Sequence, residues 1–327
     1  MKQNIFLRDK KTICISAPGK VVLCGEHAVL YGSSAISFSI KQRMFVKLTQ
    51  TDGNDVFVKS DKFGDIHFEF LKNNLKNKKY IQKWCNAIVF LLQRISHNGL
   101  KIEIVSDIKD YGFGSSGAMF SCICCGLLLL NNSKIKRIDL LKKTLDMYFD
   151  FCKNNKFIYS GIDVATSILG GIICYNYVKK EVANIMVPFL KNYSFFAIWT
   201  GHKTSTSDTQ SIVNRVRNRK NIYKKIEKIT NEIIEIFKTN GENNIKFFFD
   251  KLTENQKYLE QLKLADKDII NIIKQCKKQD VACKISGSGL GDCVIAVCEK
   301  NKKFIIKKYK KIELKIDFEG INYEFKQ

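Results

Sequence analysis

Ser16-Ala17-Pro18-Gly19-Lys20-Val21-Val22-Leu23-Cys24-Gly25-Glu26-His27-Ala28-Val29-Leu30-Tyr31-Gly32 places a cation, a carboxylate, an imidazole and three glycines in one apolar run. Lys20, Glu26 and His27 interrupt Val21-Val22-Leu23 and Ala28-Val29-Leu30. A lone buried Lys or Glu is costly, so such charges in an apolar setting point toward something charged. Taken alone, the run is equally well a solvated strand-turn-strand edge, and the rest of the chain has to decide.

Outward from it, Gly112-Phe113-Gly114-Ser115-Ser116-Gly117 follows an expected strand, Leu100 to Val105, and precedes the apolar run Gly117 to Leu130. Free backbone N–H groups and a helix N-terminus would meet there, a geometry that binds phosphate. Ser115 and Ser116 add hydroxyls able to donate to phosphate oxygens or to reach Mg²⁺. The same letters satisfy GxGxxG, but Asp139, at about the right separation, opens a helix instead of ending a second strand. The chain has no GxxxxGK[ST] motif and no protein-kinase HRD or DFG signal. Ser286-Gly287-Ser288-Gly289-Leu290-Gly291-Asp292 is a second glycine loop between two expected strands, read either as close backbone approach to a ligand or as a bulged hairpin. In Ser160-Gly161-Ile162-Asp163, Asp163 either caps the helix that follows or orients an attacking hydroxyl beside a lysine.

The bulk properties frame these motifs. The chain has 327 residues, 45% hydrophobic and 27% charged, so two domains or lobes with a sizeable core are expected. The net charge of +23 suggests nucleic acid at first sight. However, Lys and Arg are spread along the whole chain, interleaved with Asn and Ile, which favours a solvated basic surface that attracts anionic substrates. Twelve cysteines lack the paired CxxC spacing of a zinc site, and Cys122, Cys124 and Cys125 read as small apolar core fillers. The opening Met1 to Arg8 holds no extended apolar segment, so reduced thiols and a cytoplasmic location are expected. Gly117 to Leu130 is about four residues or more short of a membrane span and reads as a buried helix.

Periodicity predicts strands at Thr12 to Ser16, Lys20 to Leu23, Ala35 to Ser39, Met44 to Thr49 and Val56 to Lys59. A helix follows over Lys79 to Ser96, with Ile81, Trp84, Ile88, Leu91 and Leu92 at helical spacing. Further helices are predicted over Ile138 to Phe151, Val164 to Leu169, Ser211 to Thr239 and Leu262 to Gln275. Strands are predicted at Ile172 to Val178, Tyr193 to Thr200, Ala282 to Ile285, Val294 to Cys298 and Tyr323 to Phe325.

Pro18-Gly19-Lys20 through Gly25-Glu26-His27-Ala28-Val29-Leu30-Tyr31-Gly32, then Gly112 to Ala118, then Ser286 to Cys293, resemble in this order the three motifs of the GHMP kinase superfamily. The opening run looks closest to the mevalonate kinases. The resemblance implies an α+β, two-lobed fold: a ribosomal-protein-S5-domain-2-like N-terminal half at residues 1–180 and a ferredoxin-like C-terminal half at 181–327. ATP and a small acceptor would lie between the halves. It also implies roles. Lys20 and Asp163 would be catalytic, Lys20 neutralising transferred charge and Asp163 acting as base or hydroxyl orienter. Glu26, His27 and Thr206 would bind the acceptor. Gly112, Gly114, Ser115, Ser116 and Gly117 would hold the ATP phosphates, with Ser116 at Mg²⁺. Gly287, Gly289 and Gly291 would bring the third loop against the site.

Three features depart from that pattern. Mevalonate kinases usually carry a Mg²⁺-binding Glu eleven residues before the catalytic Asp, and Cys152 stands there, with Asp150 as a possible substitute on another helix face. Asp110-Tyr111 replaces the usual Pro before the second loop. Ser160 to Ala165, Trp199 to Thr206 and Gly291-Asp292-Cys293 are similar to phosphomevalonate kinases instead, with His202 or Lys203 as added cations for a phosphorylated acceptor. Thr206 is equally an N-cap for the helix that follows.

The expectation is therefore ATP- and Mg²⁺-dependent phosphorylation of mevalonate, with phosphomevalonate or another small-molecule acceptor next. A catalytically inactive nucleotide-binding regulator is the contrasting class. Neither nucleic acid nor a membrane is an expected partner, and a homodimer is the one assembly considered.

Overall fold

The computed structural model describes residues 11–61, 64–68, 70–71, 74–75, 85–156, 158–239 and 245–326. The helix expected from Lys79 starts outside them, as do Ile81 and Trp84; within them, α1 covers Asn86–Arg94.

The opening run is one continuous strand, β1 (Thr12–Cys24), antiparallel to β2 (Ser34–Thr51), where a break at Pro18-Gly19 was expected. The register shifts between Pro18 and Gly19, so the bulge absorbs the proline without ending the ladder. Burial along β1 alternates from Thr12 to Ser16 and is complete from Ala17 to Cys24. The first half has one wet face, while the second is covered on both. β2 is long enough to pair with β7 (Gly99–Ser106) at one end and β8 (Ile172–Asn176) at the other.

The remaining strands of this sheet are β3 (Val56–Ser60), β4 (Gly64–Phe68), β9 (Glu181–Ile185) and β14 (Asn322–Lys326). Among the described residues the sheet runs β14-β1-β2-β7-β3-β4, with β8 and β9 extending from the other half of β2. The hairpin β5 (Phe70–Leu71) and β6 (Asn74–Leu75) stands apart.

Helices α2 (Ser115–Asn131), α3 (Arg137–Asn154) and α4 (Ile162–Leu169) cover this sheet, α2 and α4 lying on β1. α2 is apolar all round and buried almost throughout, as a helix enclosed by a sheet and two other helices must be. Cys122, Cys124 and Cys125 are buried in it as core fillers, and burial pushes the Cys125 thiol up to about 12. All twelve cysteines are free.

A second sheet, in the order β11-β12-β10-β13, joins β10 (Tyr193–Trp199), β11 (Ala282–Ser286), β12 (Cys293–Glu299) and β13 (Lys310–Leu314). Helices α5 (Thr206–Asn214), α6 (Arg219–Thr239), α7 (Ile245–Gln261) and α8 (Lys267–Lys277) complete this half. α6 reaches across to β2, and α7 and α8 pack on β11.

The single helix expected from Ser211 to Thr239 is two. At Arg215 to Asn218 the chain makes tighter i to i+3 bonds, Val216 N–H to Val213 O at 3.0 Å and Arg219 N–H to Val216 O at 3.3 Å. No Pro or Gly marks the break. It lets α5 bury Thr209, Gln210 and Val213 on one side while α6 aligns its isoleucines with the core.

The expected division at 180 falls in the turn of the β8–β9 hairpin, and the next strand to join the second sheet starts at Tyr193. The chain end returns to the first sheet through β14. That return is held by Arg43, whose guanidinium donates to Asp317 Oδ2 at 2.5 Å and to Gly320 O at 2.6 Å. The halves are therefore interlaced. No helix among the described residues is long and apolar enough to cross a membrane.

Candidate active site

The end of β1, the N-terminus of α2, the start of α4 and the loop between β11 and β12 converge on a cavity of about 510 Å³. That volume suits a small-molecule ligand. Lys20, Glu26, His27, Gly112, Gly114, Ser115, Ser116, Asp163, Thr206 and Gly287 all line it.

β1 carries Lys20 to the glycine loop. The Lys20 N–H donates to Phe113 O at 2.8 Å, so loop and strand are in register. The Lys20 stem lies along Gly114, where an added Cβ would meet its Cε at 3.0 Å. Among the described residues no side chain caps α2, whose first N–H groups remain for a ligand. Gly117 is set by the other catalytic candidate: a Cβ there would stand 2.6 Å from Asp163 Oδ2. The Gly112–Gly117 loop is thus shaped by Lys20 on one side and Asp163 on the other.

Asp163 is not the N-cap of α4; Gly161 is. Asp163 Oδ1 accepts the Val164 N–H at 3.1 Å. Burial raises the Asp163 carboxyl above its ordinary range, and the Lys20 charge opposes that shift. The helix-cap explanation of Asp163 therefore gives way to a carboxylate held at a cavity beside a cation.

Glu26 and His27 turn out differently. Glu26 forms a salt bridge to Lys284 Nζ, their side chains 1% and 0% exposed, and Asn255 Nδ2 donates to its other oxygen at 3.3 Å. Its carboxylate borders the cavity with both oxygens taken. His27 Nε2 lies 2.9 Å from Ser288 O; a carbonyl only accepts, so Nε2 carries the proton and donates. Burial lowers the His27 pKa, leaving a neutral imidazole that ties the first motif to the third loop.

The third loop docks by backbone. Ser286 Oγ accepts the Val22 N–H at 2.9 Å, joining β11 to β1. Gly287 and Ser288 face the cavity. Gly289 and Gly291 instead face protein, where a Cβ would meet Leu264 Cβ and Thr204 Oγ1 at 2.8 Å each. Thr206 opens α5, and the N-cap is its neighbour Ser205, whose Oγ accepts the Asp208 N–H. The Thr206 hydroxyl lies beside Tyr159 on the cavity wall.

Cys152 is buried against Tyr148, close enough to feel the Asp163 charge. Burial pushes its thiol up to about 12, so it is a protonated thiol and no hard ligand. Asp150 is exposed on another face of α3 and does not replace the expected Glu. Hard oxygen donors on the cavity wall are nonetheless present: the Ser115 and Ser116 hydroxyls and the carboxylates of Asp163 and Asp292. That donor set fits Mg²⁺ and not a thiophilic ion.

Sequence reasoning missed Lys284 and Asn255. Lys284 has a signal, a lone Lys in the apolar run Val281 to Ile285, whereas Asn255 lies in α7, which periodicity did not reveal.

A glycine loop at an uncapped helix N-terminus, with a lysine and an aspartate meeting on it, is an arrangement suited to phosphoryl transfer to a small molecule. The family model described as GHMP kinases N terminal domain matches residues 79–171, and GHMP kinases C terminal matches 233–312. Together the two span more than half of the chain, which belongs to the GHMP kinases, an ATP-dependent family.

Among relatives, the mevalonate kinase of Methanocaldococcus jannaschii is 26% identical over 313 residues, covering 92% of this chain and 97% of that protein. The phosphomevalonate kinase of Saccharolobus solfataricus is 23% identical, covering 87% and 90%. The solved structure of the Methanococcus jannaschii mevalonate kinase superposes with a TM-score of 0.74 at 23% identity, over 93% of this chain and 98% of that one.

Proposed function

We propose that the chain transfers the γ-phosphoryl group of ATP to the 5-hydroxyl of mevalonate. The observation that carries this reading is the meeting of Lys20 and Asp163 on the α2 glycine loop, in a chain matched almost end to end by relatives named mevalonate kinase.

In this reading Asp163 takes the proton of the acceptor hydroxyl as the oxygen attacks phosphorus, with Oδ2 free of the bond that holds Oδ1. Lys20 stabilises the charge on the attacking oxygen and the transferred group. The N–H groups of Gly112 to Gly117 and the Ser115 hydroxyl cradle the phosphates. His27 and Thr206 line the acceptor end, while Glu26 acts from beneath by fixing the turn that carries His27. Ser116 would hold Mg²⁺, which when bound neutralises charge between the β- and γ-phosphates. Gly287 closes the cavity, and Gly289 and Gly291 allow the third loop to pack.

Phosphomevalonate is the second acceptor to weigh, favoured by the sequence around Asp163 and Thr206. The geometry favours mevalonate over it. His202 Nε2 is 2.9 Å from Asp266 and Lys203 Nζ is 2.9 Å from Asp110, so both candidate cations for an extra phosphate are already paired.

ADP release measured in parallel with the two acceptors tests the choice. Turnover on mevalonate is expected, and turnover on phosphomevalonate alone would reverse it. Nucleotide binding without turnover on either would favour the regulator. The proposed setting is the cytoplasm, with the nucleotide lobe in 1–180 and its partner lobe in 181–327, apart from β9 and β14, which pair in the first sheet. Neither nucleic acid nor a membrane is part of it, and a homodimer is the assembly that light scattering would look for.

A further inference from the structure

Asp292 stands at the end of the third loop with φ +56°, a left-handed conformation that costs a non-glycine residue about 1–2 kcal/mol. Its backbone is tightly held. Its N–H donates to His202 O at 2.9 Å, and its carbonyl accepts from Thr200 N–H and Thr200 Oγ1, both at 3.0 Å. The side chain thereby lies against the Gly112–Gly117 loop, where a Cβ on Gly112 would lie 2.6 Å from its Cβ and 2.9 Å from its Oδ2. Among the described residues, no hydrogen bond or close ion pair reaches its carboxylate, although Lys20 and Lys203 are near enough to attract it. A carboxylate with spare oxygens thus sits on the first glycine of the loop that would hold polyphosphate.

Such a group repels a bare nucleotide, because like charges a few ångströms apart in a partly buried site are strongly unfavourable. With a divalent cation between them the same carboxylate becomes attractive, since Mg²⁺ is commonly held by one or two carboxylates together with substrate phosphates. Cys152, where a carboxylate was expected, supplies no such oxygen.

Resting on the reading of this cavity as the ATP site, we propose that Asp292 couples nucleotide binding to the metal ion. Its carboxylate disfavours metal-free ATP and provides an oxygen, directly or through bound water, to the Mg²⁺ that ATP carries. Asp292 is thus a specificity determinant for the metal complex over the free nucleotide, reached from the third loop instead of from α3.

The test is equilibrium titration of the full chain with the non-hydrolysable analogue AMP-PNP, in EDTA and in excess Mg²⁺. D292N keeps the shape, and Asn tolerates the left-handed conformation; D292G keeps the backbone by another route. In the wild type, Mg²⁺ should tighten binding by about 10–100-fold. In both variants metal-free binding should tighten by about tenfold and the Mg²⁺ enhancement should shrink toward unity. Unchanged enhancement in both variants overturns the proposal. So does an equal loss of affinity with and without Mg²⁺, which would mark Asp292 as a scaffold of the loop. If the wild type bound no nucleotide under either condition, the kinase reading itself would fail.

Discussion

Two groups of charges border one cavity and are used in opposite ways. Lys20, Asp163 and Asp292 keep valence to spare, facing the cavity across glycines that no larger residue could replace without moving them. Glu26 and Lys284 are sealed from water, their charges spent on each other and on Asn255 and the Ile285 carbonyl. Lys20 and Glu26 belong to the same motif six positions apart, yet one faces the cavity and the other is spent on the fold. A charge does chemistry when its partner is missing, and holds structure when its partner is built in.

The contrast breaks most sharply at Asp163. D163N should lower turnover by about 10²–10⁴-fold with nucleotide affinity and melting temperature nearly unchanged, as single-turnover kinetics and calorimetry would show. If stability fell in step with activity, Asp163 would belong with the structural group.

The converse case is Lys284. K284M should leave the Glu26 carboxylate buried and unpaired, at a cost of about 3–5 kcal/mol in denaturant unfolding. Adding E26Q should recover much of that loss, because both ends of the pair are then neutral. Failure of the double variant to recover would show that Glu26 has a use beyond its partner.

Gly117 separates stability from catalysis at one atom. Ala suits a helix better than Gly by up to about 1 kcal/mol, but the methyl would crowd Asp163 as far as its Cβ, 2.8 Å away, and displace its carboxylate. G117A should therefore change stability by no more than about 1–3 kcal/mol while losing about 10–100-fold in turnover, the size expected for a small misplacement of a reacting group.

The smallest effect concerns His27. Its folded pKa lies below the unfolded value of about 6.5, so below that pH the unfolded chain takes up a proton that the folded chain resists. The stability it contributes is full above pH 6.5 and is lost as pH falls toward the folded pKa, by at most about 1.4 kcal/mol per pH unit. H27N, which suits the positive φ at this position, should flatten that part of the curve between pH 7 and 5. An identical slope in wild type and variant would remove His27 from the account.

Much of this was legible in the chain. The first and third motifs fell on β1 and on the β11–β12 loop, and the glycine loop fell at the start of α2, because strand alternation, glycine clusters and an apolar helix are local signals. The break at Arg215 to Asn218 was not, since neither Pro nor Gly stands there and a lone Asn218 is too weak a local signal to end a helix; the separate burial of α5 and α6 requires it. Strand β13 and helix α7 were hidden by mixed, Lys-rich faces whose apolar positions acquire meaning only against their partners.

By itself, the sequence determined the order of the three motifs, the chemistry each could offer and the family to which they belong, because spacing and residue type are properties of the chain. Only the tertiary structure decided which charges remain available. Lys284 reaches Glu26 across 258 positions, while Asp292 reaches Gly112 with no carboxylate partner among the described residues. Pairing is a matter of distance in space, and that is set by how β11 docks on β1.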